Sequence, residues 1–150
     1  QGPDVSVERI ASFHPYPRLQ GEKRQNMNVV DSSGWLEYFT DSPLAKSYAP
    51  YIEKCSELLV PTLVLYEVYR WIKRHDSEEQ AIKYVAQMSQ SRIIDLDDSL
   101  ALLAADLSLE HHLAMADSIV YATALNHRAK FITSDSDFKA LPGVVYFPKS

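Results

Sequence analysis

The sequence has a single cysteine, Cys55, so no disulfide can close within the chain. That fits a reducing compartment and an expected cytoplasmic location. It has no apolar run near the ~20 residues that a membrane helix needs. The longest uncharged stretches, Leu58 to Tyr66 and Ser118 to His127, reach roughly half of that. The pattern of basic residues, apolar block and small-residue cleavage site that marks a secretory signal is also missing. Basic residues are outnumbered, 15 against 20 acids, for a net charge of −5. Binding nucleic acid through bulk charge alone is thereby disfavoured, although a nuclease whose acids hold metal is not. Asn-Gly hairpin turns, internal repeats and low-complexity tracts are absent, and the lack of hairpin turns agrees with a parallel sheet.

What remains is one domain of 150 residues, long enough for a real core. Residues 1–26 read differently from the rest. They hold three of the eight prolines, Pro3, Pro15 and Pro17, and little apolar periodicity. The expected division is an N-terminal extension over 1–26 and a folded domain over 27–150. The extension is either tag or read-through sequence, with Met27 as the natural start, or an arm that packs on a partner.

From Asn28 onward, short apolar strands alternate with helical stretches. Asn28–Asp31, Leu58–Val60, Arg92–Asp95, Lys130–Thr133 and Val144–Phe147 are the expected strands. Between them lie helices after Ser32 or Ser33, from Ser42-Pro43 to about Glu57 with a break at Pro50, from Leu63 to about His75 with Thr62 as its cap, after Asp76 or Ser77, after Asp97 or Asp98, and from Ala116 to His127. Such alternation predicts a parallel sheet of four or five strands covered by helices on both faces.

Four acids stand out against apolar neighbours. Asp31 ends the first strand and Asp135 the fourth. In a doubly wound sheet, strand C-termini open onto the ligand crevice. Glu67 lies among Leu63, Val64, Arg70 and Trp71 at helical spacing. Asp117 opens a helix with almost no polar face. Acids that converge raise one another's pKa unless cations neutralise them. Hard oxygen ligands in a polar cleft suit Mg²⁺ or Mn²⁺. Structural roles compete for the same residues. Asp117 would serve as a helix N-cap, Asp135 and Asp137 as turn residues, and Glu67 as the partner of Arg70 or Arg74 on its own helix. Asp31 is the hardest to explain structurally.

Other residues weigh less. Arg70 and Arg74, three and seven residues past Glu67, are candidates for holding substrate phosphates, or else solvated cations at a helix C-terminus. Trp35 and Tyr38 would stack on bases, though core packing claims them first. His111 and His112 lack a third ligand at zinc spacing. Cys55 is expected to be packed and inert.

The strings Val30-Asp31-Ser32-Ser33, Thr62 to Glu67, Ala116-Asp117-Ser118 and Thr133-Ser134-Asp135-Ser136-Asp137-Phe138 together resemble PIN-domain ribonucleases. They are most similar to VapC-type toxins of toxin–antitoxin pairs. The resemblance spans Asn28 to about Phe147. No single motif is specific, but their order, spacing and element types together are. The resemblance implies an α/β/α fold of strand order 3-2-1-4-5 and an endoribonuclease using one or two Mg²⁺ or Mn²⁺ ions. It places the catalytic, metal-binding acids at Asp31, Glu67, Asp117 and Asp135, with a supporting hydroxyl at Ser33 and a further acid at Asp137. It implies an RNA substrate, an antitoxin partner and a homodimer. Ser32-Ser33 stands where threonine is common in the family, so a hydroxyl is kept. Two rivals remain. One is a PIN-type RNA-processing nuclease that is not a toxin. The other is a receiver-type Mg²⁺-binding signalling domain with Asp95 as phosphoacceptor. The receiver lacks the adjacent acid pair it needs after strand one.

Overall fold

The computed structural model describes residues 26–149. The expected N-terminal extension lies, but for Asn26, outside the described residues. Five strands, β1 (Asn28–Val30), β2 (Leu58–Pro61), β3 (Arg92–Ile94), β4 (Lys130–Thr133) and β5 (Val144–Tyr146), form one sheet. All pairings are parallel and the order is β3-β2-β1-β4-β5. Six α-helices flank it: α1 (Ser32–Phe39), α2 (Ala45–Ile52), α3 (Thr62–His75), α4 (Glu78–Met88), α5 (Asp98–His111) and α6 (Met115–Asn126). This is the α/β/α arrangement that the alternation predicts. Among the described residues no helix is long and apolar enough to cross a membrane.

The central strands are apolar on both faces because helices cover both. Val29, Val30, Leu58, Leu59, Val60, Phe131 and Ile132 are all buried. The outermost strands β3 and β5 are more exposed. After β1 the chain moves to one side of it (β2, β3) and later returns on the other (β4, β5). The switch therefore falls between β1 and β4, where such sheets open a crevice at their strand C-termini.

Two helices do most to shape that crevice. On α3, Val64, Val68 and Ile72 form the buried stripe, Leu63, Leu65 and Tyr69 pack at its edges, and Tyr66, Arg70, Lys73 and Arg74 are exposed. On α6, Ser118 and Val120 through Ala124 are all buried. α6 packs against α5 and α3 and across β1, β2 and β4. Its alanines permit that close approach. Gly34 on α1 serves the same end: a Cβ there would strike the Tyr48 ring and come within 2.7 Å of Val30 Cγ1.

Some helix starts depart from expectation. α2 begins at Ala45, not at Ser42-Pro43. Ser42 Oγ is engaged with Thr40 Oγ1 at 2.6 Å, and the Leu44 N–H donates to Glu37 Oε2 instead. Pro50 stays inside α2, which ends at Ile52, and a separate 3-10 turn covers Cys55–Glu57. Thr62 is the first residue of α3, with Pro61 before it as the cap. Ser77 and Asp97 cap α4 and α5, accepting from the N–H groups of Gln80 and Leu100. Cys55 is exposed rather than packed, because it sits in the short turn before β2.

Candidate active site

Asp31 directly follows β1 and is the N-cap of α1, its Oδ1 accepting from the Ser32 N–H at 2.8 Å. Ser32 and Ser33 are therefore helical, not capping. Asp31 is only 8% exposed. Its other oxygen accepts from Thr133 Oγ1 at 2.9 Å. Thr133 Oγ1 in turn accepts from the Asp135 N–H at 3.0 Å, and Asp135 Oδ1 accepts from the Asp137 N–H at 2.9 Å. One chain of hydrogen bonds thus runs across the switch between β1 and β4, from Asp31 through Thr133 to Asp135 and Asp137.

Asp117 reaches the same place from α6. It is no N-cap, since Ala114 holds that position without a side-chain bond. Asp117, Asp135 and Asp137 each offer a carboxylate oxygen within 4.8 Å of the others. Asp135 and Asp137 do close a turn, as a structural role would require, and still face Asp117. Glu67 approaches from α3. It forms no ion pair with Arg70 or Arg74 among the described residues.

The electrostatics follow from this crowding. Burial pushes the Glu67 carboxyl up to about 7, with Asp31 and Asp117 adding repulsion and a Ser32 hydrogen bond opposing. Asp117 is pushed up to about 6, first by burial, then by Asp31, Asp135 and Asp137. Asp31 is raised mainly by burial, against the pull of its bonds to Thr133 and Ser32. None of the five acids is ion-paired with a described residue.

The structure brings Asp31, Glu67, Asp117, Asp135 and Asp137 into one electrostatic neighbourhood. Its tightest group is Asp117, Asp135 and Asp137, while Asp31 is drawn back into its two hydrogen bonds. Asp137, the outlying member in the sequence, is the exposed member of that group. Lys149 is near enough to Asp31 to favour its charged form, but no acid of the group is in an ion pair with a described residue, and carboxylate oxygens at this spacing fit a divalent hard cation.

The supporting roles of Thr133 and Ser134 were not legible in the sequence, whereas a hydroxyl at Ser33 was expected. Thr133 is fully buried and bridges two acids. Ser134, between Thr133 and Asp135, is tied at 2.5 Å to the hydroxyl of buried Tyr48, and burial pushes that hydroxyl up to about 12. Ser33 Oγ is buried beside them, close enough to the Tyr48 hydroxyl to oppose the rise in its pKa. Trp35 is 1% exposed and belongs to the core. Tyr38 donates to Glu53 Oε2 at 2.8 Å, away from the acids. His111 packs edge-on to Tyr121, and His112 is the left-handed cap of α5. Asp95 follows the edge strand β3 and is exposed, outside the acid group. The receiver reading loses its phosphoacceptor there.

The family profile of the PIN domain matches residues 29–144. No curated protein matches the chain. Among solved structures, a toxin–antitoxin complex from Klebsiella pneumoniae aligns with a TM-score of 0.71 at 24% identity, over 81% of this chain and 99% of that one. VapBC2 from Rickettsia felis, bound to a DNA fragment from its promoter, aligns at 0.65 and 17% identity, over 81% and 98%. The sarcin–ricin-loop-cleaving toxin VapC20 from Mycobacterium tuberculosis aligns at 0.65 and 17% identity, over 78% and 96%.

Proposed function

The chain belongs to the PIN domain family, and from that premise we propose that it is a divalent-metal-dependent endoribonuclease, the toxin of a toxin–antitoxin pair. The observation that carries the reading is the crowded acid group, none of it in an ion pair with a described residue: three carboxylates within 4.8 Å of one another, with Asp31 and Glu67 beside them. Asp31, Asp117 and Asp135 would hold Mg²⁺ or Mn²⁺, with Asp137 and Glu67 as further ligands. The ion, when bound, would lower the pKa of an attacking water and stabilise the leaving oxygen.

The chain's own groups do the rest. Thr133 holds the Asp31 carboxylate and the Asp135 backbone N–H, and the Asp135 carboxylate is held in turn by the Asp137 N–H. Ser33 lies buried against the Tyr48 hydroxyl, behind Asp31, and supports the site from within. Glu67, close to both Asp31 and Asp117, would bind a further ion or orient the attacking water. The toxin assignment is supported by the relatives described as toxin–antitoxin or VapBC assemblies. An antitoxin side chain reaching the acids would be Arg or Lys, forming charge-assisted hydrogen bonds. A homodimer is supported by Leu102 and Leu109, seven residues apart on α5, with Leu109 80% and nearby Met115 76% exposed.

The test is expression in a susceptible host, alone and with whatever small reading frame adjoins its gene, together with RNA cleavage in Mn²⁺ and in EDTA. Toxicity relieved by that frame, with metal-dependent cleavage, is the expected outcome. Harmless expression with intact cleavage makes the protein a non-toxin RNA-processing PIN nuclease. No cleavage with either metal ends the nuclease reading.

A further inference from the structure

The outward face of α3 carries Tyr66, Tyr69, Arg70, Lys73 and Arg74, which line a shallow groove of about 460 Å³. We propose that this face is a track for single-stranded RNA, leading away from the acid group with Arg70 and Arg74 on successive phosphates and Tyr66 stacking on a base. The proposal rests on the nuclease reading and deepens it by saying where the rest of the substrate lies.

Position comes first. α3 begins where β2 ends, so its first turns lie at the acid end of the sheet and its last turns point away. Arg70 and Arg74 follow Glu67 by about 4.5 and 10.5 Å along the helix axis, at 1.5 Å per residue. Three and seven residues from Glu67, they also lie on its side of the helix. The substrate is an anion that must approach a group of carboxylates on a chain of net charge −5. Over residues 66–75 the chain reverses that balance, with three cations against Glu67 alone.

Availability comes second. Arg70 and Arg74 form no ion pair with a described residue. Lys73 is partly engaged, 3.5 Å from Glu78 and 5.6 Å above the Tyr69 ring, so it contributes less. Tyr66 is 61% exposed and makes no ring contact or side-chain hydrogen bond with another described residue. Compensation of the helix dipole accounts for cations in the last turn, Lys73 and Arg74. It accounts neither for Arg70, a turn earlier, nor for an open tyrosine ring. Arginines that follow a backbone, beside an aromatic platform, are the recognition chemistry of an unpaired strand. A duplex hides its base faces and offers none for stacking.

The experiment titrates the full chain into a fluorescein-labelled twelve-nucleotide oligouridylate and reads anisotropy at several salt concentrations. EDTA is present, so that no metal-dependent cleavage runs. In R70A/R74A the Kd is expected to rise tenfold or more. The slope of log affinity against log salt should become shallower by about 1.4, at ~0.7 per single-strand phosphate contact. In Y66A the Kd is expected to rise about fivefold or more with the slope unchanged. A duplex of the same length should bind more weakly. All three side chains face solvent, and matching thermal unfolding of the variants checks that the fold is intact. Unchanged affinity and slope in R70A/R74A overturns the track, as does a wild-type chain that binds no oligonucleotide. If R70A/R74A binds RNA normally but no longer retains a co-expressed antitoxin, the face is a protein surface and the proposal falls. Cleavage of RNA in Mn²⁺ is measured separately. Binding through these residues without cleavage upholds the track and defeats the nuclease reading, whereas cleavage with unaltered variant binding defeats the track alone.

Discussion

α3 and α6 each bring one acid to the same neighbourhood, and they do it by opposite means. α6 is buried on most sides and wedged across three strands, so Asp117 is held by the packing of the whole helix. α3 buries one stripe, Val64, Val68 and Ile72, and Glu67 sits at the edge of that stripe beside a face left to solvent. One acid is delivered by a rigid interior element. The other is delivered by a helix whose remaining surface is free for a second task. Substitutions on α6 should therefore act on stability unless they touch Asp117. Substitutions on the outer face of α3 should leave stability alone.

The largest expected effect is on Asp117 itself. Asp117→Asn is expected to lower RNA cleavage by about a thousandfold or more, or ~4 kcal/mol in the barrier at 1.36 kcal/mol per decade. Thermal stability of the metal-free protein should hold or rise, because one member of a repelling group is lost. A purely structural Asp117 would give the reverse, with cleavage intact and stability reduced. Glu67→Gln should match the loss of cleavage, since the contrast between the helices concerns how the acids are held and not what they face.

Ala122→Leu probes the buried helix. Ala122 is fully buried on α6. Added methylenes in a packed core typically cost about 1–3 kcal/mol. A drop of that size in unfolding free energy, from urea midpoints, is the expected result. A neutral effect would mean that α6 is not wedged as tightly as the contrast requires.

How far the sequence foretold this arrangement depends on how local each signal is. Asp31 and Asp135 could be picked out because each closes an apolar strand, and Glu67 and Asp117 because each stands among apolar helical neighbours. The parallel sheet was legible because strands buried on both faces read as short continuous apolar blocks. The hydrogen bond from Thr133 to Asp31 joins residues 102 apart, and that between Tyr48 and Ser134 residues 86 apart. No window along the chain contains either pair. The start of α2 departs from expectation for a related reason: Ser42 has the right chemistry for a cap, but Thr40 and Glu37 compete for the groups involved. Cys55 looks packed by residue type alone, and its short turn leaves it in solvent. The catalytic roles expected of the acids are a separate matter, for the cleavage measurements to decide.

A smaller effect links the two helices through pH. Asp117 and Glu67 have folded-state pKa values of about 6 and 7, above their ordinary values of 3.8 and 4.5. Between the unfolded and folded values the native state holds more protons, so stability falls as pH rises. Their contribution is complete below about pH 4 and is lost by about pH 7 to 8. The expected observation is a melting temperature in EDTA that falls from pH 5 to 8, with a shallower fall in Asp117→Asn/Glu67→Gln. Adding Mn²⁺ should restore stability at pH 8, because binding to the native state alone stabilises it by mass action. An identical pH profile in the double variant would mean that the two acids are not coupled as their positions indicate.

The smallest expected effect is the one that most sharpens the contrast. Tyr66 lies one residue before Glu67, yet its ring is mostly in solvent. Surface substitutions away from caps, cores and networks typically fall within ±0.5 kcal/mol. Tyr66→Ala should stay in that range by urea unfolding, with helix content unchanged, since alanine is the better helix former. Trp71 is an internal control on the same helix. Its ring stacks on His75 at 4.2 Å and is only 36% exposed, so Trp71→Ala should cost more than Tyr66→Ala. If Tyr66→Ala instead costs more than 1 kcal/mol, the tyrosine belongs to the architecture of α3 and is not surplus to it. The outer face of α3 would then resemble α6 in being committed to folding. A near-zero cost means that this large ring contributes nothing measurable to the fold of the isolated chain, which leaves it free to meet a partner.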